Sequence, residues 1–96
     1  MVKHIVMFKL RPEAKQDAPA RAKKELEAMM GVAPTLRSME VGIDFTADNP
    51  AADLALTATF DNREGLAAYA VDPVHLAFLA WFKPLITLRS AVDYEI

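Results

Sequence analysis

Three side chains in this sequence have the chemistry to move protons: His4, Tyr69 and His75. His75 follows the dipeptide Asp72-Pro73, which is typical of a helix start with Asp as the cap and Pro at the first helical position. The helix N-terminus carries partial positive charge, which favours the neutral form of the imidazole that a general base requires. His75 is therefore a candidate general base. The alternative is a histidine that packs locally and fixes the turn after Tyr69.

Tyr69 and His4 each allow a chemical and a structural interpretation. The hydroxyl of Tyr69, six positions before His75, is a candidate donor to a substrate carbonyl or an enolate oxygen. Tyr69 could equally lie at the edge of the core with its hydroxyl in water. His4 shares its strand face with Val6 and Phe8, so its polar ring needs a partner. His4 is either a second proton-handling group or a structural histidine.

The spacing of ligand-type residues does not favour a metal or an organic cofactor. Catalytic zinc usually has two His on one helix and a carboxylate, whereas His4 and His75 belong to separate elements. Gly31, Gly42 and Gly65 are too far apart to form a phosphate-binding loop. The sequence contains no Cys, which excludes disulfides and a Cys nucleophile. We expect a protein without metal or cofactor.

Length and charge restrict the class of protein further. A chain of 96 residues forms one domain, covering 1–96, with a thin core. The formal net charge is −2, with 11 Lys and Arg against 13 Asp and Glu, which excludes a broadly basic nucleic-acid binder. Apolar residues make up 53% of the chain, a high share for this size. We therefore expect part of the apolar surface to be covered by a partner.

The apolar stretches are too short for a membrane span. The most apolar one, residues 73–82, is far shorter than the ~20 residues that cross a bilayer. Lys3, Lys9 and Arg11 interrupt the opening before an export signal can form. The prediction is a cytoplasmic protein that does not bind membranes.

The elements that position the candidate residues follow from the spacing of the apolar residues. Alternation or continuous apolar sequence predicts strands over 2–11, 36–45, 54–60 and 86–96. Helical spacing predicts a first helix that Asp17 caps and Gly31 terminates. Asp61 with Glu64 has the capping-box pattern of a second helix, and a third runs from Asp72-Pro73 to Lys83-Pro84.

This order predicts a ferredoxin-like α+β domain, in which helices cover one face of a four-stranded antiparallel sheet. The other sheet face has no helix to cover it. A second copy of the chain, packed sheet to sheet, would bury that face in a dimeric α+β barrel. The apolar sets assigned to the strand faces are Ile5, Met7, Met39, Val41 and Ile43.

Four segments support this prediction by resemblance: KHIVMFKL at 3–10, SMEVG at 38–42, LALTATFDNREGLAAYAVDPVHLAF at 54–78 and KPLITLRSAVDYEI at 83–96. In this order and spacing they resemble the stress-responsive dimeric A/B barrel family. The resemblance implies a ferredoxin-like fold that dimerises through its sheets. It does not imply one activity, because the family includes stress-associated oligomers as well as a plant polyketide cyclase, olivetolic acid cyclase.

The likeness to the cyclase bears on the candidate residues. Its catalytic pair is a Tyr and a His at the spacing of Tyr69 and His75, and its opening strand carries a His that corresponds to His4. The resemblance therefore implies an apolar pocket that holds these three side chains and takes a small apolar or carbonyl ligand. One reading is a cofactor-free enzyme that acts on a polyketide-like carbonyl compound by His/Tyr acid–base chemistry. The other is a non-catalytic small-molecule-binding or stress-associated assembly protein.

Overall fold

Four strands and three helices follow one another in the predicted order in a computed structural model that describes all residues, Met1–Ile96. The elements are β1 (Val2–Leu10), α1 (Ala18–Glu27), β2 (Leu36–Ile43), β3 (Leu54–Phe60), α2 (Arg63–Ala70), α3 (Pro73–Phe82) and β4 (Ile86–Glu95). Short 3-10 turns over Pro12–Ala14 and Lys83–Leu85 join β1 to α1 and α3 to β4.

The strands form one antiparallel sheet in the order β2-β3-β1-β4. This is the predicted ferredoxin-like α+β fold, with β1 and β3 in the centre and β4 at one edge. The core lies between the sheet and the helices, where apolar side chains of alternate strand positions meet those of the helices. Its largest fully buried members are Phe60, Phe82, Leu10, Leu26, Met29, Leu54, Val6 and Val41.

The pairing register determines which face each strand residue occupies. Val6 pairs with Leu56 and Ala91 on the helix side of the sheet. Ile5 and Met7, one position to either side, therefore lie on the open face. On β4 the neighbours of these two residues are Val92 and Ser90.

The open face of the sheet is apolar along β1 and β4. Met7, Leu88, Val92 and Tyr94 are all substantially exposed there. The prediction placed Met39, Val41 and Ile43 among the dimer-forming residues, and the register contradicts this. These three pair with Ala58, Leu56 and Leu54 and so lie on the helix side.

Two helix starts differ from the predicted caps. Asn62, not Asp61, caps α2, and its side chain accepts a hydrogen bond from the Gly65 N–H at 2.8 Å. Asp61 instead forms an ion pair with Arg37 of β2. Asp17 occupies the cap position of α1 but makes no side-chain capping bond.

The ends of α1 and β2 also depend on local geometry. Gly31 adopts the predicted left-handed conformation, with φ of 84°, but it does not terminate α1 as predicted, because the helix already ends at Glu27 and Gly31 lies in the turn that follows. The second strand ends at Ile43, before the predicted end at Phe45, whose side chain is fully exposed.

No single helix is long and apolar enough to cross a bilayer, although α2 and the segment to Leu85, joined across a 56° bend, together meet the length and composition of one span. The cytoplasmic location stays a prediction.

Candidate functional site

A cavity of about 340 Å³ lies between the helix side of the sheet and the three helices. Its size is within the range of small-molecule sites, and most of its wall is apolar. The three predicted proton-handling residues, His4, Tyr69 and His75, all line it. The remaining lining residues are Val6, Phe8, Leu26, Leu56, Phe78, Leu79, Lys83, Ile86 and Arg89.

His75 is placed at the junction of α2 and α3. Asp72 caps α3 as predicted, since its side chain accepts a hydrogen bond from the Val74 N–H at 2.9 Å. His75 is the third residue of that helix, and its Nδ1 lies 3.1 Å from the carbonyl oxygen of Ala70, the last residue of α2. The ring therefore also closes the open C-terminus of α2.

The contact with Ala70 determines the tautomer of His75. A carbonyl oxygen only accepts, so Nδ1 must carry the proton and donate it. In the neutral ring Nε2 then holds the lone pair, and Nε2 has no hydrogen-bond partner in the protein. No buried side-chain nitrogen or oxygen lacks a partner, so this atom is accessible to solvent or a ligand.

The surroundings of His75 keep its ring neutral. Burial lowers the pKa of His75, and positive charge on His4 and Arg89 lowers it further. The hydrogen bond to the Ala70 carbonyl and the charge of Asp72 act in the opposite direction but are outweighed. The sequence predicted a neutral ring from the helix dipole, whereas the leading cause is burial.

Tyr69 lies against His75 with the ring centres 4.5 Å apart. Its side chain is 3% exposed, and its hydroxyl donates to Sδ of Met29 at 3.4 Å. Burial, with a further contribution from the charge of Asp72, raises the pKa of Tyr69 to about 12. The hydroxyl therefore stays protonated. Because thioether sulfur is a weak acceptor, the hydroxyl can exchange this hydrogen bond for one to a stronger acceptor such as an oxygen atom.

His4 enters the cavity from β1, on the same face as Val6 and Phe8 as predicted. Its Nδ1 bonds to the carboxylate of Asp93, which lies opposite it on β4. That bond fixes the orientation of the ring and leaves Nε2 without a protein partner.

Sequence reasoning missed four side chains of this region. Met29 and Asp93 hold Tyr69 and His4, and Lys83 and Arg89 add two cations to the wall. The sequence did contain a signal for Arg89. Arg89 shares its alternation phase on β4 with Asp93, and that phase faces the helices. No group of three or more His, Cys, Asp or Glu side chains is placed to hold a metal. The absence of a metal or cofactor stays a prediction.

The sequence matches one family model over nearly its full length. The model is described as the stress responsive A/B barrel domain and covers residues 2–96. A stress-response A/B barrel domain-containing protein of Arabidopsis thaliana is 28% identical over 97 residues, which is 98% of this chain and 85% of the relative.

Solved structures match the fold closely. A dimeric protein of ferredoxin-like fold from Bacteroides fragilis has a TM-score of 0.89 and 33% identity, covering 99% of this chain and 95% of its own. A dimeric ferredoxin-like protein from Thermobifida fusca has a TM-score of 0.85 and 26% identity, covering 99% and 90%. More distant is a hydroxynitrile lyase from Passiflora edulis, with a TM-score of 0.84, 19% identity and coverage of 99% and 92%, a likeness of fold alone.

Proposed function

The chain belongs to the stress-responsive A/B barrel family, and on that basis we propose that it is a cofactor-free enzyme that moves a proton on a small carbonyl compound. The observation that carries this proposal is the neutral His75 ring with its free Nε2, packed in an apolar cavity against the ring of Tyr69, whose hydroxyl is protonated. The hydroxynitrile lyase of the same fold indicates only that this architecture can host catalysis, since fold does not fix activity.

In the proposed reaction Nε2 of His75 removes a proton from the carbon next to the substrate carbonyl. The electron pair of the broken C–H bond moves toward the carbonyl, so the substrate becomes an enolate with its negative charge on the former carbonyl oxygen. The Tyr69 hydroxyl exchanges its hydrogen bond to Met29 Sδ for one to that oxygen and stabilises the negative charge that develops there. The protonated His75 then returns the proton to the product or to a leaving group. His4, held by Asp93, is a second proton-carrying group on the same cavity wall.

We also propose that the site is similar to that of olivetolic acid cyclase and acts on a polyketide-like carbonyl compound. This part of the proposal rests on the Tyr69–His75 spacing and on the position of His4, which are the residues that resemble the cyclase. The homodimer is also part of the proposal and is supported by the apolar open sheet face and by the dimeric structures that this chain resembles.

Exchange of α-protons for deuterium tests the proposal without knowledge of the natural substrate. Ethyl acetoacetate and acetophenone are incubated in D2O with the protein, and the loss of the α-proton signal is followed by ¹H NMR. We expect the wild type to accelerate exchange of at least one compound and His75→Asn to lower the rate about 10²–10⁴-fold, the usual contribution of a positioned general base. Tyr69→Phe should lower it less, because one donor is lost without opening a cavity.

The Asn variant separates catalysis from folding. Its side-chain amide can still donate to the Ala70 carbonyl while offering no base, so thermal stability should change little. Leu76→Ala, an exposed position of the same helix outside the cavity, is the matched control and should exchange at the wild-type rate. Wild-type exchange in a folded His75→Asn protein would make His75 structural and would contradict the proposal.

A non-catalytic binding or stress-associated assembly protein is the second candidate. The observation that favours it is the engaged state of the Tyr69 hydroxyl, which is held by Met29 rather than free for a ligand. A bound carbonyl compound whose α-protons exchange no faster than in buffer would support this candidate.

A further inference from the structure

Two cations of the cavity wall have no partner within the protein. Lys83 and Arg89 both line the cavity, and neither forms a hydrogen bond or an ion pair through its side chain. Elsewhere the basic side chains are mostly paired, as with Arg21 and Glu25, or Arg37 and Asp61. Four basic side chains have no partner, Lys3, Lys24, Lys83 and Arg89, and the last two line the cavity.

The positions of these cations connect them to the candidate site. Arg89 lies on β4 opposite Phe8, on the helix side of the sheet, and Lys83 follows the last residue of α3. The positive charge of Arg89 contributes to the low pKa of His75, which indicates that the guanidinium and the imidazole are electrostatically coupled.

The nearby carboxylates are already engaged. Asp93 bonds to His4, and Asp72 caps α3 through the Val74 N–H. Arg89 is therefore available to bind a carboxylate of a ligand. Its planar guanidinium binds carboxylates through two parallel hydrogen bonds. The apolar remainder of the cavity wall suits an apolar body attached to that group.

We propose that the ligand of this cavity is a small apolar carbonyl compound that bears a carboxylate, which Arg89 and Lys83 bind. The inference rests on the proposed function for the carbonyl group and adds the acidic group and the two residues that select it. Arg89 and Lys83 act here as specificity-determining residues. His75 and Tyr69 carry the proton chemistry.

Benzoate and benzamide test the carboxylate requirement, because they share the ring and differ in one charged group. Binding is measured by NMR titration of the ¹³C-labelled histidine rings at pH 7.5. We expect benzoate to bind at least about tenfold more tightly than benzamide, the usual contribution of a hydrogen bond to a charged group. We also expect benzoate, and not benzamide, to raise the pKa of His75, because a bound anion favours the imidazolium.

Arg89→Gln should lower benzoate affinity about tenfold and leave benzamide affinity unchanged, with a smaller effect of Lys83→Gln. Lys24→Gln removes an exposed cation of α1 outside the cavity and should leave both affinities unchanged. Equal binding of acid and amide, an equal loss of both in Arg89→Gln, or no saturable binding of benzoate would overturn the inference.

These readouts are independent of turnover. Charge-selective binding that depends on Arg89, found together with no α-proton exchange, would leave the inference standing while the proposed enzyme activity fails. Exchange that depends on His75, found together with no preference for benzoate over benzamide, would support the proposed enzyme activity and overturn the inference.

Discussion

At the scale of single residues, the state of His75 is set by contacts that lie outside its own helix. The Ala70 carbonyl at the end of α2 fixes the Nδ1 tautomer, and burial among the cavity residues lowers the pKa. His75 therefore has the structural role that one interpretation predicts, whereas its role as a general base stays a prediction. It closes the turn after Tyr69 and also presents an unpaired Nε2.

The pKa of His75 can be measured directly and traced to its causes. A ¹H–¹³C NMR titration should give a pKa below the ordinary value of 6.5 for His75. Arg89→Gln should raise it, because a neighbouring positive charge is removed, whereas Lys24→Gln should not move it. Activity that depends on the neutral ring should then rise with pH below 6.5 and stay level above it, since the pKa of Tyr69 is about 12. A pKa of 6.5 or above in the wild type would contradict the environment described for His75.

The sequence predicted those residues of the candidate site that are recognisable by their residue type and by their spacing along the chain. His4 stands out because its polar ring interrupts an apolar strand face. Tyr69 and His75 stand out through the helix start at Asp72 and through their resemblance to the cyclase pair, and the structure brings all three side chains to one cavity. The partners of these residues were not predictable. Met29 lies 40 positions from Tyr69 and Asp93 lies 89 positions from His4, so only the assembled fold brings them together.

At the scale of elements, competition between neighbours decides details that local patterns leave open. Asp61 and Asn62 are both good caps, and Arg37 binds the carboxylate of Asp61, so Asn62 caps α2. The pairing of β1 with β4 shifts register between Lys9 and Leu10 of β1, which lie opposite Leu88 and Ile86. Ile86 is therefore turned into the cavity, although it shares the alternation phase of the open-face residue Leu88. Element order and type follow from periodicity, whereas such shifts depend on the strand opposite.

One buried carboxylate ties the ends of β1 and β3 together. Asp53, just before β3, is 8% exposed and accepts a hydrogen bond from the Leu10 N–H at 2.7 Å. It also pairs with Lys9 and Lys15. Burial alone would raise the pKa of Asp53, but the Leu10 hydrogen bond and the two lysines hold it below its usual range.

Replacing this carboxylate should destabilise the fold. Asp53→Ala leaves the Leu10 N–H without an acceptor and should lower the free energy of unfolding by about 1–3 kcal/mol, measured by urea denaturation. Because the folded-state pKa of Asp53 is lowered, its contribution is present above the unfolded value of 3.8 and is lost as pH falls through the folded value. Asp53→Asn should therefore reduce the loss of stability in acid. Asp61→Asn, on the exposed Arg37 pair, is the control and should change stability little at neutral pH.

At the scale of the whole molecule, the two faces of the sheet differ in how they are covered. Three helices bury the side that holds the cavity, and the other side presents apolar residues of β1 and β4. An exposed apolar surface on a sheet is typical of an interface, and the matching dimeric structures share this fold. A sheet-to-sheet contact would leave Arg89 and His75 outside the interface, because both lie on the helix side.

Light scattering should therefore give about twice the chain mass of 10.6 kDa at micromolar concentration. Val92→Asp, at a position of β4 that is 54% exposed on the open face, should shift the protein to monomer or lower its stability, because a buried unpaired carboxylate costs several kcal/mol. Met7→Asp, on the adjacent strand, should act in the same way. Val71→Asp makes the same change at a position that is 68% exposed after α2 and should leave the dimer intact. A wild-type monomer, or a Val92→Asp dimer as stable as the wild type, would show that the open face is not the interface.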